Sequence, residues 1–235
     1  MTIQAKNLAF QYTETPLLHH VSFDIKQGEC IAIFGPNGGG KTTLLKLLMG
    51  FLTPSSGSLC IEGAPPQKKR SVMGYVPQRS SFDPQFPITA IDVVKMGALT
   101  PSYLRSYPID ALDKAWDMLN KVGLTHLAEA PFGSLSGGQA QRVLIARALM
   151  GHREYLFLDE ATANIDFAAQ LQFHELLQEL KGKLTIVMVT HDLPKTMPYV
   201  DRFLSVYGDV TSYTHEELCH HFVHGLYHLP LSSKG

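Results

Sequence analysis

Cysteine is scarce in this chain: Cys30, Cys60 and Cys219 are the three among 235 residues. An odd number at wide spacing excludes a disulfide framework and a zinc ribbon, and fits a reducing compartment. Cys30 and Cys60 fall in apolar, strand-like runs and read as buried core thiols. An excess of one charge is also missing. The net charge of −1 gives no bulk attraction for a polyanion, so no nucleic-acid partner is expected. Lys68-Lys69-Arg70 is the one basic run and reads as a solvated loop. No apolar run approaches the length of a membrane span. The first ten residues lack the basic start and apolar stretch of a secretory signal. Internal repeats and low-complexity segments are absent as well. What remains is a chain long enough for one large domain or two small ones, with a real core.

The apolar pattern predicts alternating strands and helices. Leu8, Phe10 and Tyr12 alternate, as do Val21, Phe23 and Ile25, so both segments read as half-buried strands. Residues 30–34 form a continuous apolar run, as in a parallel strand covered on both faces. A helix is expected over 41–49, ended by Gly50, then short strands over 58–61 and 71–76. Thr89 is placed to cap a helix running to Met96. A second helix is expected over 109–122, with Leu112, Ala115, Trp116, Leu119 and Val122 at helical spacing; Trp116 reads as core rather than as a ligand stacker. Helices over 137–149 and 167–180 and strands over 155–158 and 184–189 complete the pattern. Strands and helices on either side of a helical insert argue for a parallel α/β core.

Residues 35–42, Gly-Pro-Asn-Gly-Gly-Gly-Lys-Thr, match the G-x-x-x-x-G-K-[ST] phosphate-binding loop and sit between an expected strand and an expected helix. Glycines let consecutive N–H groups turn inward around an anion. The helix start adds the positive end of its dipole. Lys41 is placed to reach the β- and γ-phosphates, and Thr42 to offer its hydroxyl to Mg²⁺. The run 155–160 is an apolar strand ending in Asp159 and Glu160, at the sheet edge where α/β folds bind ligands. Asp159 suits the support of Mg²⁺; Glu160 beside it suits polarisation of a water for attack on the γ-phosphate. Leu135-Ser136-Gly137-Gly138-Gln139 opens a helix and offers a second anion site, or simply a serine-glycine cap.

Leu135 to Gln139, with Ala140-Gln141-Arg142, resembles the signature of the ATP-binding-cassette (ABC) ATPases. The resemblance covers about residues 2–212, with every motif in family order. It implies an α/β fold: a P-loop NTPase (RecA-like) core with an N-terminal antiparallel β part and a helical subdomain. Its expected boundaries are a core of about 1–79 and 148–212, a helical subdomain of about 80–147 and a histidine-rich segment over 213–235. It implies that ATP is held by Gly35, Pro36, Asn37, Gly38, Gly39, Gly40, Lys41, Thr42 and Thr43, with Tyr12 stacked on adenine (Phe10 being the alternative). Thr42, Gln78 and Asp159 are implied Mg²⁺ contacts; Glu160, Gln78 and His191, in Val189-Thr190-His191-Asp192, are the implied catalytic set. Ser136, Gly137, Gly138, Gln139 and the D-loop Asp166 would serve the ATP of a second cassette packed head to tail. Departures are mild: Gly39 stands where serine, alanine or cysteine is commoner, Thr42 replaces serine, and Thr162 follows Ala161 where Pro-Thr is common. None removes a catalytic group, so an active ATPase is expected.

The segment from Tyr75-Val76-Pro77-Gln78-Arg79 to Asp92-Val93-Val94-Lys95-Met96-Gly97 is similar to the zinc/manganese/iron importers within that family. The resemblance implies an ATPase subunit, paired with an identical copy, on the cytoplasmic face of the inner membrane. It would drive an integral membrane permease supplied by a solute-binding protein. Importers of siderophores, cobalamin or nickel/cobalt share parts of the pattern, and a non-transport ABC ATPase or an ATP-binding regulatory module are the readings from other classes. Near the C-terminus His220, His224 and His228 share a helical face at i, i+4, i+8, a candidate transition-metal site or a surface segment with incidental histidines.

Overall fold

The computed structural model describes residues 3–78, 86–99, 107–160 and 167–223, with the backbone alone for 167–169 and 220–223. The strands are β1 (Ile3–Gln11), β2 (Pro16–Ile25), β3 (Cys30–Phe34), β4 (Ser56–Ile61), β5 (Met73–Val76), β6 (Tyr155–Asp159), β7 (Thr185–Val189), β8 (Arg202–Tyr207) and β9 (Asp209–Tyr213). The helices are α1 (Lys41–Leu48), α2 (Ala90–Lys95), α3 (Ala111–Lys121), α4 (Gly137–Leu149), α5 (Phe167–Leu180), α6 (Leu193–Thr196) and α7 (His215–Val223). Contacts divide the chain into two compact units, Met1–Lys68 with Val187–Gly235, and Lys69–Ile186.

The first unit holds an antiparallel sheet of order β2-β1-β4. Ile3, Ala5, Leu8 and Phe10 of β1 are buried and alternate with more exposed neighbours, the one-sided burial expected of such a sheet. Part of β7 and β3, β8 and β9 lie in that order beside it in the same unit. β3 runs parallel to β8, with Ile31 opposite Arg202 and Phe34 opposite Ser205. All five residues of β3 are buried, as the unbroken apolar run predicts.

The second unit pairs β5 parallel to β6, Met73 opposite Tyr155 and Val76 opposite Leu158, and packs α2, α3 and α4 together. Every residue of β6 is buried. Helices α4 and α5 begin and end where the sequence places them. Thr89 caps α2 as expected, its hydroxyl accepting from Asp92 N.

Three expectations need correction. The strand expected over 71–76 starts only at Met73, because a 3₁₀ turn opened by Pro66 carries through Val72. Cys60 is half-buried, on the antiparallel sheet's side strand β4, whereas Cys30 is fully buried. In α3 the core-facing line is Ala111, Ala115 and Leu119, an i, i+4, i+8 row; Leu112 and Trp116 lie one residue further around the helix and are 49% and 36% exposed.

Candidate functional site

In the first unit the phosphate-binding loop connects the buried end of β3 to the first residue of α1. The loop is seated directly on backbone. A Cβ at Gly35 would stand 2.2 Å from the Val206 carbonyl oxygen, and one at Gly39 2.6 Å from the same atom. Gly208 N donates to Gly39 O at 3.3 Å, and His19 N donates to Gly208 O at 2.7 Å, so β2 and the β8–β9 turn hold the loop from behind. Gly39, unusual against the family pattern, therefore has a local cause: its missing side chain admits Val206. The Lys41 ammonium donates to Gly35 O at 3.0 Å and Pro36 O at 2.9 Å, which keeps this buried cation at the loop. Tyr12 lies just past β1, packs edge-on to Phe10 with centroids 4.8 Å apart, and its phenol is 3.4 Å from the Thr43 hydroxyl. Tyr12 as a whole is 60% exposed.

His191 follows β7 in the same unit and is exposed. The turn that carries it is pinned by buried Thr190, whose N donates to Ile33 O at 3.0 Å and whose hydroxyl accepts from Asp192 N at 3.1 Å. The ends of β7 and β3 are thus tied together, and His191 shares a unit with the loop.

In the second unit the parallel pairing of β5 and β6 brings Gln78 and Glu160 together: Gln78 Nε2 donates to Glu160 Oε2. Asp159 is 4% exposed. Its charge, after burial, raises the pKa of the Tyr75 phenol, while Arg147 opposes that shift. Glu160 adopts φ of 49°, the left-handed region that a side chain disfavours. Ser136 caps α4 in a capping box: its hydroxyl accepts from Gln139 N at 3.3 Å and its N donates to Gln139 Oε1 at 2.9 Å. The structure thus shows the serine-glycine cap, with the Ser136 hydroxyl and N–H both engaged by Gln139.

Asp166, His224 and His228 lie outside the described residues, as does the side chain of His220. Among the described residues no group of His, Cys, Asp or Glu could hold a metal ion as a cluster of three or more, and no helix is long and apolar enough to cross a membrane. Sequence reading missed the Val206–Gly208 seat, the left-handed Glu160 and the half-buried Arg153. None of the three has a motif; only a glycine pair at 35 and 39 hints at the first.

A glycine loop between a buried parallel strand and a helix, a lysine at the helix start and a second strand ending in carboxylates define a P-loop nucleotide-binding protein of mixed α/β class. The family model described as ABC transporter matches residues 18–163. A probable metal transport system ATP-binding protein of Chlamydia pneumoniae is 42% identical, the match covering 94% of this chain and 95% of that protein. The manganese transport system ATP-binding protein MntB of Bacillus subtilis is 39% identical over 86% of this chain and 82% of its own length. Among solved structures, cbiO1 of Clostridium perfringens, part of the ABC transporter complex cbiONQ, superposes with a TM-score of 0.81 at 30% identity, covering 98% of this chain and 95% of that one. This chain belongs to the ABC transporter family, as an ATP-binding cassette of its ATPase class.

Proposed function

We propose that this chain is the ATP-hydrolysing subunit of a transition-metal importer. Two identical cassettes would close on ATP and reopen after hydrolysis, driving a separate permease from the cytoplasmic face of the cell membrane. A solute-binding protein would hand over the metal on the far side. The metal class rests on the relatives, which serve metal and manganese transport systems, and on the 75–97 segment. Zinc, manganese and iron are the candidate cations.

The observation that carries the hydrolytic part is the Gln78–Glu160 hydrogen bond beside buried Asp159. An amide held on a carboxylate orients it, and an oriented carboxylate is what activation of a water requires. Glu160 is the proposed base, Gln78 its positioner and sensor, and His191 the γ-phosphate contact. The loop fits a polyphosphate: at Gly35 and Gly39 side chains are excluded, Gly38 opens to free space, and Lys41 supplies the cation. Moving the Lys41 ammonium from carbonyls to phosphate oxygens exchanges neutral acceptors for charged, stronger ones. Thr42 and Asp159, with Gln78, offer the hard oxygen donors that suit Mg²⁺; when bound, that ion supplies neutralisation of charge on the phosphates. Tyr12 would take the adenine face, and Ser136, Gly137, Gly138, Gln139 and Asp166 would complete the site of the partner cassette.

The permease would dock near Gln78. The segments that follow it in the chain expose Phe86, 55% accessible, with Met96, Leu99 and Tyr107, apolar side chains that a protein partner would cover.

Replacing Glu160 by Gln tests the hydrolytic reading. Steady-state hydrolysis should fall at least a hundredfold while MgATP still drives dimer formation in light scattering. Retained turnover in Glu160→Gln would remove Glu160 from its proposed role.

A further inference from the structure

Arg153 stands between the end of α4 and the start of β6, and its guanidinium hydrogen-bonds to backbone carbonyls. Nη2 donates to Gly97 O at 2.7 Å, Nη1 to Ser71 O at 2.7 Å and Nε to Ala148 O at 3.2 Å. Those oxygens belong to three different segments: the 3₁₀ turn Met96–Ala98 behind α2, the turn leading into β5, and the last turn of α4. The last carbonyls of a helix have no partner within it, and a cation there also meets the negative end of the dipole. Burial lowers the guanidinium pKa from its ordinary value, so its charge is held in place by these carbonyls at a desolvation cost.

Two glycines show how tightly the same segments are drawn together. A Cβ at Gly97 would stand 2.0 Å from Arg147 O and 2.8 Å from Met150 Cβ. A Cβ at Gly74 in β5 would stand 2.3 Å from Ala148 O. The final turn of α4 therefore touches both the end of α2 and β5 backbone to backbone. All of these residues lie in the second unit.

We propose that Arg153 is a positioning residue that clasps the end of α2, the end of α4 and the start of β5 into one lever, coupling the permease-facing surface to the nucleotide-sensing residues. At one end of this lever are exposed Met96 and Leu99. At the others are Ser136, one α4 length of roughly 20 Å away, and Gln78, just beyond β5. A push on Met96 and Leu99 then moves Ser136 and Gln78 instead of dissipating in a loose α2–α4 contact. The guanidinium is needed for its planar fork of five donors; a lysine ammonium, a single point of charge on a flexible stem, cannot hold three divergent carbonyls in fixed geometry.

The proposal rests on the permease-docking reading, and the experiment separates the two. Wild type, Arg153→Ala and Arg153→Lys full-length chains are purified alone and, in parallel, reconstituted with the membrane permease in proteoliposomes. Basal ATP hydrolysis, permease-stimulated hydrolysis, melting temperature and amide exchange across residues 96–99 are measured. Basal kcat and KM should stay within twofold in both variants, permease stimulation should fall tenfold or more, and amide exchange at 96–99 should quicken. Arg153→Lys keeps the charge and stem, so it carries the test if Arg153→Ala does not fold. Full stimulation in a folded variant, or rescue of stimulation by lysine, overturns the clasp. Equal loss of basal and stimulated rates together with melting temperature also overturns it, since that pattern is mere support of the fold. A wild-type chain that the permease does not stimulate defeats the docking reading and the clasp with it.

Discussion

Glu160 sits in the left-handed region at φ of 49°, a conformation that costs a residue with a side chain on the order of 1–3 kcal/mol. The buried strand β6 leads into it, and its carboxylate accepts from Gln78 Nε2. Gly39 is constrained by a different means. Its Cα faces the Val206 carbonyl so closely that a Cβ would stand 2.6 Å away. Serine, ordinary at this place in the family, should therefore displace the loop here. Gly39→Ser is expected to weaken ATP binding about tenfold, or about 1.4 kcal/mol, in a nucleotide titration; unchanged affinity would mean that the loop is not seated on Val206. The residues proposed to hold phosphate were legible because their chemistry needs particular types at fixed spacing. The Val206 contact and the Glu160 conformation were not, because a carbonyl is present at every residue and glutamate carries no sign of a left-handed backbone.

At the scale of elements, α2 shows how a short helix is secured. The Thr89 hydroxyl accepts from Asp92 N and donates to Asp92 Oδ2 at 2.7 Å, while Lys95 Nζ reaches Asp92 Oδ1 at 3.0 Å. The Thr89 hydroxyl first, then Lys95, holds the Asp92 carboxyl below its usual pKa. A depressed carboxyl contributes stability that is present above its unfolded-state pKa and lost as pH falls through the lower folded value. Thr89→Ala should cost about 1 kcal/mol of stability near neutral pH, and the gap between the two denaturant midpoints should narrow in acid. A gap that stays constant into acid would assign the loss to the backbone cap alone. The start of helix α4 was readable because a serine followed by two glycines marks a helix opening, and the structure adds the capping box that Gln139 completes. The strand expected from residue 71 was overrun by the turn that Pro66 opens. Trp116 was misplaced because helical spacing admits several adjacent faces, and only the packing of α3 with α2 and α4 selects one, the face that buries Ala115 and Leu119.

For the whole molecule, motif order along the chain was enough to recognise an ABC cassette, and the structural relatives agree over nearly its full length. The division of contacts was harder to foresee. β5 and β6, strands of the core by sequence pattern, cluster with helices α2 to α5 in the unit Lys69–Ile186. That grouping puts Gln78, Glu160, the signature helix and the exposed Met96 and Leu99 on one body, while the phosphate loop, Tyr12 and His191 belong to the other. The nucleotide site is built for ATP, so its residues name no transported ion. The central claim is that ATP hydrolysis by this chain powers metal uptake. It is tested most directly in vesicles holding the permease and this chain, with zinc, manganese and iron offered in turn with the solute-binding protein and MgATP at the cassette face. One of the three should accumulate with wild type and none with Glu160→Gln. Equal accumulation with both proteins, or no ATP-dependent uptake of any of the three, would contradict the claim.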